Sequence, residues 1–338
     1  MVIVMQKGAS DEARDRVLRE VATLGFTSHV SEGETRVLIG AIGPAPTEEV
    51  REHLRALPGV ESVVRITKPF KLASREFRHD DSAISIGGVV TGDGRFVVAA
   101  GPCGVESREQ LRAAARIAQA HGAHLLRGGA FKPRTSPYSF QGLGEEGLAL
   151  LVEARAETGM PIVTEVTAPE LVEVVAGSAD MLQIGARNTQ NFALLAEAGK
   201  SGMPVLFKRG LSTSISEFLQ AAEYVLSQGN PNVVLCERGI RTFETATRFT
   251  LDISAVAVLK ELTHLPVWVD PSHAAGRRPL VGSLALASAA AGADGLIIEV
   301  HATPEEAKSD AAQQLDEAEF GALMPRLRAV VQAVGKSM

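Results

Sequence analysis

Pro161-Ile162-Val163-Thr164-Glu165 leads into the helical spacing of Ala168 to Ala176, and then into Met181-Leu182-Gln183-Ile184-Gly185-Ala186-Arg187. An apolar, β-branched run ends on a carboxylate, a short segment turns the chain back, and a second apolar run ends beside a cation. Runs this apolar suit strands covered on both faces, as in a parallel sheet flanked by helices. The unit recurs in both directions. Upstream lie Phe96-Val97-Val98-Ala99-Ala100 and His124-Leu125-Leu126; downstream lie Val205 to Lys208, Val233 to Cys236, Val267 to Asp270 and Gly295 to Glu299. Helical segments such as Arg108 to Gln119, Glu145 to Glu157, Asn191 to Ala198, Ser214 to Ser227 and Pro279 to Ala291 separate them. Eight strands alternating with helices over about 250 residues predict an α/β fold of the (β/α)8 TIM-barrel type. A doubly wound open sheet is the alternative, but no Gly-x-Gly-x-x-Gly follows a first strand, which removes the usual dinucleotide reading. Ile84 to Val90 and the chain from Arg95 flank Thr91-Gly92-Asp93-Gly94, a hairpin signal at the bottom of the barrel.

The stretch Lys68 to Asp81 is charged, poorly periodic and carries Pro69, so it reads as a linker. Before it, Val2 to Met5, Phe26 to Val30, Thr35 to Ile42 and Val60 to Ile66 read as strands, while Asp11 to Leu24 and Glu48 to Leu57 read as helices. That order predicts a small ferredoxin-like βαββαβ domain. The expected division is therefore residues 1–67, a linker over 68–82, and a catalytic barrel over 83–338.

Composition narrows the function classes. A net charge of −6 offers no basic footprint for nucleic acid or an anionic membrane. Two cysteines cannot build a disulfide framework, and Met1 to Met5 is too short for a signal peptide, so a reducing, cytoplasmic setting is expected. No apolar stretch approaches membrane-spanning length.

In a TIM barrel the chemistry sits at the C-terminal ends of the strands. Those ends carry Cys103, Arg127 with Lys132, Glu165, Arg187, Lys208, Glu237 with Arg238, Asp270 with His273, and Glu299 with His301. Arg127, Lys132, Arg134, Arg187, Lys208 and Arg238 would repel one another at one barrel mouth unless anions bind there. Two phosphates and a carboxylate would balance them. Cys103, His273, Glu299 and Asp310 form a mixed sulfur, nitrogen and oxygen set suited to one divalent ion such as Mn, Fe, Co or Zn. Cys236, inside an apolar run, reads instead as a core residue.

The loop Leu126 to Tyr138 contains Lys132-Pro133-Arg134-Thr135-Ser136, which resembles the signature of 3-deoxy-D-arabino-heptulosonate 7-phosphate (DAHP) synthases, here the type I beta kind with a ferredoxin-like regulatory domain. Gly101-Pro102-Cys103, Ile184-Gly185-Ala186-Arg187-Asn188, Lys208-Arg209-Gly210, Cys236-Glu237-Arg238-Gly239, Asp270-Pro271-Ser272-His273 and Glu299-Val300-His301 followed by Ser309-Asp310 resemble that family's motifs in order. The resemblance implies a transferase that joins phosphoenolpyruvate to erythrose 4-phosphate at the entry to the shikimate pathway. It implies metal ligation by Cys103, His273, Glu299 and Asp310. It assigns phosphoenolpyruvate to Arg127, Lys132, Arg187, Lys208 and Arg238, and the aldehyde's phosphate to Arg134, Thr135 and Ser136, with Asp270 among the substrate-binding groups. Lys132 would donate to the aldehyde oxygen, and Glu165 would orient water or hold Lys208 or Arg187. Feedback by tyrosine or phenylalanine through the first domain, and a homodimer or homotetramer, complete the expectation.

Three rivals follow from the same residues. The sister enzyme, 3-deoxy-manno-octulosonate 8-phosphate synthase, takes arabinose 5-phosphate, and Pro133 with Arg134 argues against it. A Schiff-base aldolase would use Lys208, and a metabolite sensor on an inactive barrel would not need four metal donors.

Overall fold

The computed structural model describes residues 1–32, 37–65, 68–133 and 136–338. The chain divides into two compact units, Met1–Asp80 and Asp81–Met338.

In the first unit β1 (Val2–Met5), α1 (Asp11–Thr23), β2 (Thr27–Glu32), β3 (Val37–Ile42), α2 (Glu48–Arg55) and β4 (Val60–Val64) follow the expected order. Thr35, Arg36 and Ile66, counted into strands above, lie outside the described residues. Ser10 and Thr47 start the helices by accepting from the backbone N–H groups of Ala13 and Val50. The sheet runs β2-β3-β1-β4, with β1 antiparallel to both neighbours. Ile3, Val17, Val21, Ile39 and Leu54 are fully buried between the sheet and its two helices. Residues 68–80, expected as connecting chain, carry the buried Phe70, Leu72, Ala73 and Phe77. Leu72 and Phe77 lie against Gly40 of β3.

The second unit opens with β5 (Ile84–Ile86) and β6 (Val89–Thr91), which pair antiparallel. The expected signal at Thr91 to Gly94 forms a turn, closed by the antiparallel pair Gly92 with Arg95, but the turn that joins β5 to β6 is Gly87-Gly88. The reason is conformational: Gly87 and Gly88 take φ of 53° and 91°, as a two-residue hairpin loop of the primed type demands. The barrel then closes from β7 (Val97–Gly101), β8 (Leu125–Arg127), β9 (Ile162–Val166), β10 (Met181–Ile184), β11 (Val205–Lys208), β12 (Val233–Glu237), β13 (Val267–Val269) and β14 (Gly295–Glu299). All neighbours are parallel, and β14 returns to β7 through the register Gly295 with Val97 to Glu299 with Gly101.

The outer layer consists of α3 (Arg108–Ala120), α4 (Glu145–Thr158), α5 (Val172–Ala176), α6 (Phe192–Lys200), α7 (Ile215–Leu226) and α8 (Ile253–Leu262). After the short α9 (Pro271–Ala275) come α10 (Arg278–Ala290) and the terminal α11 (Glu317–Ala333). Inside the barrel, Ile84 and Ile86 of the hairpin pack with Val97, Leu206, Val234, Trp268 and Ile297. The bottom is thus plugged, and the polar strand ends gather at the opposite face. Among the described residues no helix is long and apolar enough to cross a membrane.

Candidate active site at the barrel mouth

Each barrel strand delivers a polar group at its C-terminal end because the apolar run stops there. Cys103 follows β7, and its backbone N–H donates to Gln314 Oε1 at 3.0 Å. Arg127 and Glu299 end β8 and β14, are 3% and 1% exposed, and meet at 2.9 Å. Arg127 Nη1 also donates to the Pro102 carbonyl at 2.8 Å, while its buried Nε has no partner among the described residues. Lys208 ends β11 and donates to Asp270 Oδ2 at 2.5 Å. Asp270 caps α9 by accepting from the His273 backbone N–H at 2.9 Å, and its Oδ2 lies 2.7 Å from His273 Nδ1. Lys132 curls back beneath its loop, its Nζ 2.9 Å from the Cys103 carbonyl and 3.0 Å from Cys103 Sγ. Gly129 is what makes room, since a Cβ there would overlap both the Lys132 side chain and the Cys103 carbonyl.

Four donors converge. Cys103, Glu299 and Asp310 offer ligand atoms within 4.8 Å of one another. Asp310 Oδ2 is 3.2 Å from Cys103 Sγ, and His273 Nε2 is 3.5 Å from Glu299 Oε1 and 3.8 Å from Asp310 Oδ2. Ligands held at ~2.0–2.3 Å from one ion stand roughly 3 to 3.8 Å apart; the 3.2, 3.5 and 3.8 Å separations match that, although His273 stands outside the group of three whose ligand atoms all lie within 4.8 Å. The His273 ring is already oriented, with Nδ1 on a carboxylate and Nε2 facing the cluster, the arrangement typical of metal-binding imidazoles. Burial and the nearby Glu299 push the Cys103 thiol up to about 12, and its Sγ donates to Asp310 Oδ2 at 3.2 Å. Burial opposes ionisation of Asp270, Glu299 and Asp310 as well, yet His273 and the surrounding cations hold all three below the ordinary carboxylate range. The donors fit a metal of the borderline kind.

A cleft beside this cluster is lined by Lys132, Arg187, Arg238, Arg248, His273 and Asp310. Arg238 lies over the Phe249 ring, 4.4 Å from its centroid. Burial lowers its pKa, and the like charges of Arg248 and Arg187 lower it further against the pull of Asp270. Such an uncompensated guanidinium is ready for an anion. Glu165 also lines the cleft; its Oε2 accepts from Gln183 Nε2 at 3.2 Å, while Lys208 takes Asp270 as its partner. Ser136 is exposed, and its Oγ accepts from the Tyr138 backbone N–H. Arg134 and Thr135 lie outside the described residues.

A family model described as DAHP synthetase I matches residues 76–333, and one for the DAHP synthase ferredoxin-like domain matches residues 1–68. The chain belongs to the DAHP synthetase I family. A phospho-2-dehydro-3-deoxyheptonate aldolase of Thermotoga maritima is 49% identical over 335 residues, covering 99% of each chain. A crystal structure of the Thermotoga maritima DAHP synthase superposes with a TM-score of 0.79 at 48% identity, over 99% of this chain and 98% of that one. A 2-dehydro-3-deoxyphosphooctonate aldolase of Syntrophotalea carbinolica is 35% identical across 67% of this chain and 88% of its own length.

The barrel mouth also contains groups that do not end a strand. Arg248 and Phe249 come from the long loop after β12, and Gln313 from the loop after β14. Arg209 directly follows β11, yet it turns away from the cleft to bind Glu237 and Asp252 at 2.9 and 2.8 Å. The sequence signal for Arg209 was its place in Lys208-Arg209-Gly210; for Arg248 and Gln313 there was none, because both sit in irregular chain.

Proposed function

We propose that this protein condenses phosphoenolpyruvate with D-erythrose 4-phosphate and water to give DAHP and phosphate, using one divalent metal ion. The observation that carries the reading is the meeting of a Cys103, His273, Glu299 and Asp310 donor set with a cationic cleft at one barrel mouth. The relation to DAHP synthases over nearly the whole chain supports it.

In this reading Arg127, Lys132, Arg187, Lys208 and Arg238 hold phosphoenolpyruvate by its phosphate and carboxylate. The orphaned Arg127 Nε and the strained charge of Arg238 are the natural docking points. Arg134, Thr135 and Ser136 receive the aldehyde's phosphate. A bound divalent cation would supply Lewis-acid polarisation of the aldehyde oxygen. Lys132 Nζ, carrying its proton, sits where it donates to that oxygen as negative charge grows; the carboxylates of Glu299 and Glu165 hold its pKa up against the burial that would lower it. Carbon 3 of phosphoenolpyruvate attacks the aldehyde carbon, water adds at carbon 2 under the direction of Glu165, and phosphate leaves by carbon–oxygen cleavage. Asp270 acts through its partners, holding Lys208 in place and His273 turned toward the donors. Holding both substrates in register accounts for much of the barrier reduction, ~7–11 kcal/mol in favourable cases. Lys208 Nζ is engaged at 2.5 Å by Asp270 Oδ2, which disfavours its use as a Schiff-base nucleophile.

The first unit, with residues 1–67 as its domain, is proposed to bind tyrosine or phenylalanine and to gate the barrel. A truncation beginning near Asp81 is expected to stay active and lose that inhibition; full inhibition of the truncated chain would end the gating idea. The substrate assignment is tested by phosphate release with erythrose 4-phosphate against arabinose 5-phosphate. Turnover of the five-carbon sugar alone would move the protein to the octulosonate reaction of its more distant relatives.

A further inference from the structure

We infer that Arg248 is a positioning residue for the metal centre, fixing two of its four donors from a loop that supplies none. The inference rests on the metal reading above. Arg248 Nη1 donates to Asp310 Oδ1 at 3.0 Å and to Gln313 Oε1 at 2.9 Å. Gln313 passes the contact on, its Nε2 donating to Glu299 Oε2 at 2.6 Å. The amide can face only one way, because its carbonyl must meet the guanidinium and its NH2 the carboxylate. One cationic nitrogen thus holds Asp310 directly and Glu299 through a single side chain.

The loop that carries Arg248 is itself tied down. It closes on the backbone pair Ile240 with Thr250. Arg248 N and Phe249 N then donate to the Ala275 and Ala274 carbonyls of α9, at 3.1 and 3.0 Å. Since α9 also carries His273, the loop after β12 supports three donors at once. Asp310 needs that support most. Its backbone is left-handed, with φ of 51°, a region that side-chain-bearing residues adopt uncommonly even though aspartate tolerates it better than most. Carboxylates brought this close also repel one another before a cation arrives, and a guanidinium on their outer side offsets that repulsion. Groups of this kind, one bond removed from the ion, orient its ligands.

The test uses the full-length protein stripped of metal. Cobalt(II) is titrated in and followed by the thiolate-to-cobalt charge-transfer band, and manganese(II) by electron paramagnetic resonance. Arg248→Gln is expected to weaken both ions about 10- to 100-fold. Arg248→Lys should recover part of the loss, and Gln313→Leu, which frees only the Glu299 arm, should lose less. The unfolding midpoint in chelator separates this effect from misfolding, and Gln313→Leu carries the test should Arg248→Gln not fold. Unchanged metal affinity in Arg248→Gln overturns the proposal. So does unchanged metal affinity with a raised KM for the phosphorylated aldehyde, which would make Arg248 a substrate contact. A wild-type chain that binds neither ion removes the metal reading first, and this inference with it.

Discussion

At the floor of the barrel, Trp268 packs among Ile84, Ile86, Val97 and Ile297, and its indole N–H donates to Thr91 Oγ1 at 2.8 Å. At the other end of the same strands Arg127, Lys208, Asp270 and Glu299 are as deeply buried, but they are charged. The floor gains from apolar burial and leaves its one polar handle satisfied. The mouth withdraws ions from water, where the desolvation cost competes with their mutual attraction. The two cysteines repeat the contrast. Cys236 packs in the apolar interior, its Sγ 3.5 Å from the Glu237 carbonyl, and burial raises its pKa. Cys103, equally buried, lies between an ammonium and a carboxylate. Burial alone marks neither site; what a buried group faces decides whether it serves packing or chemistry.

The largest expected effect lies at the mouth. Cys103→Ser should abolish measurable turnover and weaken manganese binding by more than the ~100-fold typical of losing an outer partner. Retained affinity would erase the distinction between the cysteines, for Cys236→Ser should leave metal binding unchanged. Next is Trp268→Ala, expected to lower stability by about 3–5 kcal/mol in denaturant unfolding while the metal dissociation constant stays put. A change in metal affinity there would mean that floor and mouth are coupled.

Arg127→Met sharpens the comparison from the other side, because it strands Glu299 in a dry site. We expect a loss of about 3 kcal/mol in chelator, partly restored by manganese as the ion replaces the missing charge. Thr91→Val should cost ~1–3 kcal/mol by leaving the Trp268 N–H unpaired, with no change in turnover.

The smallest effect concerns pH at the floor. His124 Nδ1 accepts from the Val98 backbone N–H at 3.0 Å, and burial, with Arg328 nearby, lowers its pKa. A neutral imidazole in the fold and a protonatable one in the unfolded chain mean that its contribution is present above about pH 6.5. It is lost as the pH falls below that value toward the folded pKa. Stability measured from pH 7 down to pH 5 should therefore fall less steeply in His124→Gln.

Much of this was legible before any coordinates. Period and composition identify the eight barrel strands, since parallel strands buried on both faces leave continuous apolar runs. The strand-end residues Cys103, Arg127, Lys208 and Glu299 were readable because the end of such a run is also the start of the mouth. What escaped detection has a common cause. Thr91 to Gly94 does form a turn, but Gly87-Gly88, with the same residue types four positions earlier, is the one that joins β5 to β6, and only pairing register separates their roles. Phe70, Leu72 and Phe77 sit in a stretch whose charges hide its apolar positions. Arg248 and Gln313 act from loops, where no periodicity points and where contacts such as Arg248 with Asp310 span 62 positions of sequence.

The central claim, a metal-dependent condensation at this mouth, is tested most directly by phosphate release from phosphoenolpyruvate in the presence of erythrose 4-phosphate, with manganese and with chelator. The account predicts release that needs the four-carbon aldehyde, disappears on chelation and returns when manganese is restored. Undiminished release in chelator would contradict the role given to Cys103, His273, Glu299 and Asp310.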